Sequence, residues 1–244
     1  MTRPDEIRAL AQSLMTARQT GLPVTFQASE AFSYEAALQV QRLVQEELGA
    51  VSGFKVGRYE PGRPIIAPIP EVYTYAAGAA VPFKGSVGVE LEIGFRLNRG
   101  LAGFERSRVA EYFTPYVVME LVTSRIAEPV GHPLHKLADM QAGYGLVIGS
   151  EVTDWAGDDF HSVEVSLVAD GEPLVQGEVA LPNGSALTSL EMAIEGIGDH
   201  AGGLQPGQMV ITGTLTGIEM FDASTQVQAE ISGLGAVAFE LSKA

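Results

Sequence analysis

Apolar and other residues alternate from Val89 to Leu97. Apolar side chains occupy every second position there, and Glu90 and Glu92 both fall on the opposite face. A period of two predicts a β-strand that packs one face against a core. A second apolar run, residues 116–122, contains a single acid, Glu120. Because an acid inside such a run rarely goes unpaired, these two strands are the centre of the prediction.

The first 50 residues show helical spacing instead. Apolar residues recur at helical intervals in the segment 2–19, which Gly21-Leu22-Pro23 brings to an end. A second helix is predicted to begin after Ser33, as its N-cap, and to stop at Gly49. We expect residues 1–50 to form a helical segment that packs on a β-rich core of residues 51–244, within one domain spanning residues 1–244.

Short strands and glycine-rich turns dominate the remainder of the chain. The proline-rich stretch 58–70 is predicted as a loop that could serve as a lid. A capping box at Thr188 and Glu191 predicts one further helix. Many strands with few helices indicate an α+β fold, with a mixed β-sandwich or roll and peripheral helices.

The composition excludes several classes of function. Lys and Arg number 15 against 30 Asp and Glu, a formal charge of −15, which argues against nucleic acid and anionic membranes as partners. With no cysteine there is neither a disulfide framework nor a thiolate site. No signal peptide or membrane span is evident, so we expect a soluble, cytoplasmic protein.

The acid pair itself suggests chemistry. Glu90 and Glu92 lie within reach of each other on one strand face, and their repulsion must be answered by protonation, a cationic side chain or a metal ion. Glu120 adds weight to the metal ion. The alternative is a set of solvated glutamates on exposed strand faces.

Other polar residues are weaker candidates. Lys55 lies in a short strand bracketed by Gly53 and Gly57, where a ligand can approach closely, although a lysine at a strand edge can equally reach solvent. His132 and His135 have the spacing of metal ligands but lack a nearby partner in sequence, so we expect exposed loop histidines.

Two more segments carry polar groups next to glycines. Asp139 is a lone acid that precedes a glycine-rich apolar strand, and that strand lacks the spacing of a phosphate loop. The segment Thr212-Gly213-Thr214 can present hydroxyls and backbone amides to an anion.

Five of these segments together resemble one family, the 2-keto-4-pentenoate (2-hydroxypentadienoate) hydratases and 4-oxalocrotonate decarboxylases of the fumarylacetoacetate hydrolase superfamily. In order and spacing, the matching segments are GFKVG at 53–57, ELE at 90–92, ELVTSRI at 120–126, AD at 138–139 and TGTL at 212–215. Singly each motif is weak, but the similarity spans nearly the whole chain.

The resemblance implies a mixed β-roll of the fumarylacetoacetate hydrolase C-terminal type, a homo-oligomer, and a Mg²⁺ or Mn²⁺ ion. It also implies roles for residues of this chain: Glu90, Glu92 and Glu120 as metal ligands, Lys55, Arg125 and Asp139 as catalytic residues, and Thr212, Gly213 and Thr214 as substrate-binding residues. Oxygen ligands agree with hard-cation chemistry.

The implied activity is a metal-dependent hydratase that adds water to a short 2-hydroxydienoic or 2-oxo-enoic acid in a catabolic pathway. The segment 72–76 departs from the family pattern, because it reads VYTYA where known hydratases usually carry an acid, and Met140 stands where many relatives have Asn. The missing acid and Tyr75 keep two alternatives open: a decarboxylase or other carbon–carbon lyase, and a catalytically silent homologue that binds metal and small acids.

Overall fold

The structure, a computed structural model, describes residues 4–26, 29, 31–60, 63–127 and 133–244. The described residues form five α-helices: α1 Pro4–Thr20, α2 Tyr34–Leu48, α3 Val109–Tyr112, α4 Pro133–Ala138 and α5 Ala186–Ile197. They also form thirteen strands: β1 Val51–Glu60, β2 Arg63–Pro70, β3 Thr74–Ala76, β4 Ala80–Phe83, β5 Val87–Leu97, β6 Phe113–Val122, β7 Gly143–Glu151, β8 Ser162–Ala169, β9 Glu172–Ala180, β10 Met209–Ile211, β11 Glu219–Phe221, β12 Thr225–Ile231 and β13 Gly235–Lys243. The fold is therefore α+β, as predicted.

The strands form two mixed sheets. The larger sheet has the order β2-β1-β10-β5-β6-β7-β3, with β11 also paired to β5, and the smaller has the order β4-β13-β12-β8-β9. Strands β5 and β6, predicted from their apolar patterns, lie side by side near the middle of the larger sheet. Their antiparallel register places Glu90 directly opposite Glu120.

The two faces of the larger sheet differ in what they bury. Alternate residues of β5 and β6, such as Leu91, Ile93 and Met119, join side chains of the smaller sheet in the main core. The opposite face carries the acids together with a smaller apolar cluster that includes Val118 and Leu146. Strict alternation thus separates the packing face from the chemical face.

The N-terminal helices follow the sequence prediction. The Ser33 hydroxyl accepts a hydrogen bond from the Ala36 amide at 3.2 Å, and Gly49 has a φ of 88°, so both ends of α2 are capped as predicted. Helices α1, α2 and α4 share an apolar cluster of their own. None of the helices in the described part of the chain is long and apolar enough to cross a membrane.

One predicted element was wrong, and a predicted helix begins earlier than expected. Residues 63–70 form strand β2 rather than a loop, paired antiparallel with β1. Its prolines are tolerated because β2 is at the edge of the sheet, where one side of the backbone needs no partner. Helix α5 begins after Ser185, whose hydroxyl accepts from the Thr188 amide at 3.1 Å, so Thr188 lies within the first turn.

The histidine prediction also needs correction. His135 lies on α4 and is 2% exposed, so it is not a loop residue in solvent. Its ring packs edge-on against Phe26 and Phe32, at centroid distances of 5.3 and 5.7 Å. His132 lies outside the described residues.

Candidate functional site

Three glutamates converge on the face of the larger sheet that lies opposite the main core. Each of Glu90, Glu92 and Glu120 is buried and offers a carboxylate oxygen, and these oxygens all lie within 4.8 Å of one another. Glu90 and Glu92 reach this face together because they are two positions apart on β5, and Glu120 joins them through the β5–β6 register. We refer to this trio as the acidic centre.

Burial and mutual repulsion oppose the ionised form of this centre. Burial raises the pKa of Glu92 well above its usual range, and the charges of Glu120 and Glu90 raise it further. Burial also raises the pKa of Glu90, followed by repulsion from Glu120. These carboxylates therefore remain anionic together only if positive charge is close by.

Lys55 supplies part of that charge. Its Nζ donates to Glu120 Oε1 at 2.5 Å and to the Gln141 carbonyl at 3.3 Å. Burial alone would lower the pKa of Lys55, but the carboxylates of the acidic centre, Glu120 foremost, together outweigh it and raise that pKa above its usual value. Lys55 lies in β1, two strands from β5, with the short β10 between them.

A strained turn at residues 140–142 provides the second hydrogen-bond acceptor for Lys55. Met140, Gln141 and Ala142 are three successive residues with φ of 52°, 51° and 60°, the left-handed region that non-glycine residues rarely occupy. The turn directs its carbonyls outward: Gln141 accepts from Lys55, and Ala142 accepts from the Thr123 amide at 2.8 Å. Such strain is typical of functional sites, where surrounding contacts fix the conformation.

The Thr212–Thr214 segment anchors the acidic strand. The Gly213 amide donates to Glu92 Oε2 at 2.7 Å, and the Thr212 hydroxyl donates to the Ile93 carbonyl at 2.8 Å. The Thr214 hydroxyl donates instead to the Gly217 carbonyl at 3.1 Å. Thr212 and Gly213 thus donate their hydrogen bonds to β5. The substrate-binding role expected for the segment stays a prediction.

Arg125 and Asp139 bind each other rather than the acidic centre. The Arg125 Nε donates to Asp139 Oδ1, and its backbone amide donates to Asp139 Oδ2 at 2.9 Å. Both side chains are almost fully buried. Since both oxygens of Asp139 are engaged, the geometry gives this pair a positioning role at the base of the left-handed turn, and a catalytic role for either stays a prediction.

Sequence reasoning missed Arg18. This residue of α1 donates from Nη2 to the Gly143 carbonyl at 3.0 Å, the same oxygen that accepts from Arg125 Nη2 at 3.0 Å. A Cβ at Gly143 would lie 3.4 Å from Glu120 Oε1, so the residue that binds both guanidiniums also borders the acidic centre. No spacing signal marks Arg18, because a basic residue in the last turn of a helix is ordinary.

Tyr75, a residue that the sequence singles out, lies on the core side of the larger sheet. It pairs with Val147 in the β3–β7 register and packs against the core between the two sheets. Glu120 instead pairs with Leu146, whose side chain lies on the opposite face. The structure therefore places Tyr75 on the core side of the larger sheet, away from the face that carries the acidic centre.

The residues of the acidic centre fit a hard divalent cation. Three carboxylates and one lysine leave an excess of two negative charges in a buried place, which a divalent ion would balance. The donor set consists of oxygens alone, the preference of Mg²⁺ and Mn²⁺.

Comparison with known proteins gives the family. The model of the fumarylacetoacetate (FAA) hydrolase C-terminal family matches residues 55–242. The chain belongs to this family. The match begins at Lys55 and contains the whole acidic centre, while α1 and α2 precede it. Among curated proteins, none matches the sequence significantly.

Solved structures of the same fold superpose on different fractions of this chain. The 4-oxalocrotonate decarboxylase from Pseudomonas putida G7, complexed with magnesium and adipate, superposes with a TM-score of 0.80 at 17% identity, covering 100% of this chain and 99% of that chain. The fumarylpyruvate hydrolase from Pseudomonas aeruginosa, in complex with Mn²⁺ and pyruvate, has a TM-score of 0.53 at 17% identity, with 78% and 89% covered.

A third structure shows how far the shared fold extends. A probable 2-hydroxyhepta-2,4-diene-1,7-dioate isomerase from Mycobacterium abscessus has a TM-score of 0.57 at 16% identity, covering 78% of this chain and 75% of that chain. At these identities the similarity establishes the fold, and the fold is shared by a decarboxylase, a hydrolase and an isomerase.

Proposed function

We propose that this protein is a metal-dependent lyase that acts on a short 2-oxo or 2-hydroxydienoic acid. The observation that carries the proposal is the convergence of three buried glutamate carboxylates within 4.8 Å, next to a buried lysine. The magnesium and manganese complexes of the structural neighbours support the choice of Mg²⁺ or Mn²⁺.

Glu90, Glu92 and Glu120 would hold the ion. When bound, such an ion supplies a Lewis acid that stabilises negative charge on the oxygen of an enolate. Lys55 holds a proton beside Glu120, within the same buried face, and is the described group best placed to exchange a proton with a substrate carbon. The amide of Gly213 keeps the Glu92 carboxylate aligned.

Two reactions use the same dienolate. Loss of a carboxylate conjugated to the 2-oxo group releases carbon dioxide and leaves its electron pair in the dienolate. Protonation at a remote carbon followed by addition of water gives a 4-hydroxy-2-oxo acid. The full-length similarity to a decarboxylase and the absence of an acid from 72–76 support decarboxylation, whereas the sequence resemblance alone ranked hydration first. We therefore place decarboxylation first and hydration second.

The test separates the two reactions by product. Purified protein is incubated with 4-oxalocrotonate or with 2-hydroxypenta-2,4-dienoate, in Mg²⁺, Mn²⁺ or EDTA, and ultraviolet absorbance and carbon dioxide are followed. A metal-dependent loss of the first with carbon dioxide release supports decarboxylation. A metal-dependent loss of the second without gas supports hydration.

Matched variants tie turnover to the site. Glu90→Gln should lower kcat/KM by roughly a hundredfold or more, because it removes a ligand of the proposed ion. Glu164→Gln, an exposed glutamate on β8, should leave activity unchanged. No turnover with either acid, together with intact metal binding, would overturn the enzymatic proposal in favour of a binding homologue.

A further inference from the structure

A cavity of about 270 Å³ lies near the acidic centre, between α1 and the segment that follows β6. Its walls include Arg18, Lys84, Arg125 and the rings of Tyr73 and Tyr144. Among the described residues that line it, three carry a cationic side chain and none carries an acidic one. In a chain with a formal charge of −15, such a concentration of positive charge is unusual. We call this the arginine cavity.

Each guanidinium of the arginine cavity has nitrogen atoms without an acceptor. Nε and Nη1 of Arg18 and Nη1 of Arg125 are buried and have no hydrogen-bond partner among the described residues. Arg18 and Arg125 share the Gly143 carbonyl, each at 3.0 Å, while Arg125 also binds Asp139 and Arg18 Nη2 contacts the Met140 sulfur at 3.4 Å. Buried donors without acceptors are costly, so these three free nitrogens favour the binding of a further acceptor.

The charges around Arg18 also leave it without a counter-ion of its own. Burial, followed by repulsion from Arg125, lowers the pKa of Arg18 to about 9. The Asp139 carboxylate opposes this shift but is already paired with Arg125. Burial raises the pKa of Tyr144 to about 12, so its phenol stays neutral and provides no counter-charge.

We propose that the arginine cavity binds a small oxyanion of the carboxylate or phosphate class, with Arg18 and Arg125 as its ligands. The planar fork of a guanidinium matches two oxygens of such an anion, and a small rotation of the long Arg18 side chain turns its free nitrogens toward the cavity. Lys84, whose Nζ donates to the Gln19 carbonyl at 2.7 Å, adds positive charge at the exposed side.

Gly143 links this site to the acidic centre. Its carbonyl binds both guanidiniums, and a Cβ on the same residue would lie 3.4 Å from Glu120 Oε1. The oxyanion can therefore come from two sources: a free anion, or the second carboxylate of a ligand whose first carboxylate is held at the acidic centre. The two sources are separated by the presence or absence of metal.

The first arm of the test uses no metal and needs no turnover, so it does not depend on the proposed function. EDTA-treated protein is titrated with inorganic phosphate and with acetate at constant ionic strength, and binding is measured by calorimetry. For a free anion, wild type should bind, and Arg18→Met should weaken binding by about tenfold or more. Arg8→Met, an exposed arginine of the same helix, should bind as wild type does.

The second arm adds Mg²⁺ and compares adipate with hexanoate, which have equal length but two and one carboxylates. If the cavity takes the far carboxylate, adipate should bind about tenfold or more tightly than hexanoate, and Arg18→Met should bring this ratio close to one. Arg18→Lys, which keeps the charge but loses the fork, should give an intermediate ratio and guards against a folding defect in Arg18→Met.

A positive result in either arm supports the proposal and names the source. A positive second arm would also favour the dicarboxylate 4-oxalocrotonate over the monocarboxylate 2-hydroxypenta-2,4-dienoate as the substrate. The proposal is overturned if metal-free wild type binds neither phosphate nor acetate and the metal-loaded protein binds adipate and hexanoate equally.

Discussion

Lys55 and Glu120 form the buried ion pair on which the acidic centre depends in the absence of metal. Their nitrogen–oxygen distance is 2.5 Å, and the Glu120 side chain is 2% exposed. Removing one partner of such a pair leaves an uncompensated charge inside the protein. The lysine therefore has a structural role in addition to the chemical role proposed for it.

Replacing the lysine should reveal that role. Lys55→Met should lower the free energy of unfolding of the metal-free protein by about 3 kcal/mol, because Glu120 loses its partner. Urea denaturation in EDTA measures the change. Lys136→Met, at an exposed position of α4, should alter it by less than about 0.5 kcal/mol. Equal stability of Lys55→Met and wild type would show that the pair contributes nothing.

His200 is a second buried ionisable residue, far from the acidic centre in sequence. Its Nε2 lies 2.9 Å from Gln41 Oε1, and its Nδ1 is buried without a partner among the described residues. The Gln41 side chain donates its amide to the Leu137 carbonyl, so its oxygen accepts from His200 Nε2. Protonation would place a hydrogen on Nδ1, where no acceptor lies.

The acid stability of the protein should reflect this residue. Burial, with repulsion from Arg42, lowers the pKa of His200 to about 4. Because the unfolded chain binds the proton near pH 6.5, it binds more protons than the folded protein between pH 6.5 and 4, and stability falls as the pH falls through that window. The loss attributable to His200 is about 3 kcal/mol.

Unfolding by urea at several pH values checks this sign and size. His200→Gln should lose less stability than wild type between pH 6.5 and 4, when each protein is referred to its own value at pH 8. Parallel curves for the two proteins would contradict the assignment.

Individual site residues differed in how far the sequence revealed them. The acids of β5 and β6 were predictable because charge inside an apolar alternation needs a specific reason. Arg18 was not, because its burial arises from the packing of α1 on the β6–β7 region, which no local pattern encodes. The left-handed turn at Met140 was equally hidden, since three consecutive non-glycine residues rarely adopt positive φ.

At the scale of elements, the β1–β10 pairing sets the position of the lysine strand relative to the acidic strand β5, which pairs with the other edge of β10. Gly53 of β1 pairs in parallel with Met209 of β10. A Cβ at Gly53 would lie 2.3 Å from the Met209 carbonyl oxygen, a distance that the backbone cannot accommodate without moving. A Cβ at Gly57, in the same strand, would meet Ile65 at 3.4 Å, which is an ordinary contact.

These two glycines provide a matched pair of variants. Gly53→Ala should reduce the free energy of unfolding by about 2 kcal/mol because it forces β1 and β10 apart. Gly57→Ala should change it by no more than about 1 kcal/mol. Thermal and urea unfolding of both variants measure the difference, and a Gly53→Ala protein as stable as Gly57→Ala would refute the close approach.

Most elements could be predicted from local pattern, and the failures share a physical cause. Alternation identified β5 and β6, and helical spacing with a cap identified α2. The loop prediction for 58–70 failed because proline indicates a loop unless the strand is known to lie at a sheet edge. Edge position is a property of the whole sheet and not of the local sequence. The capping box at Thr188 failed because Ser185 competes for the same role three residues earlier.

At the scale of the whole molecule, charge is distributed unevenly. The chain has a formal charge of −15, yet its acidic centre is buried and the neighbouring arginine cavity is cationic. Such an arrangement places opposite charges on two sides of Gly143 and suits a ligand that is both an anion and a metal chelator. Homo-oligomeric assembly, implied by the family resemblance, stays a prediction.

The central claim is that Glu90, Glu92 and Glu120 together bind one divalent cation. Calorimetric titration of EDTA-treated protein with Mg²⁺ or Mn²⁺, in the presence of oxalate as an enolate mimic, tests it most directly. Wild type and the exposed-site variant Glu164→Gln should bind one ion per chain, and Glu90→Gln and Glu120→Gln should not. Unchanged binding in both of those variants would contradict the account.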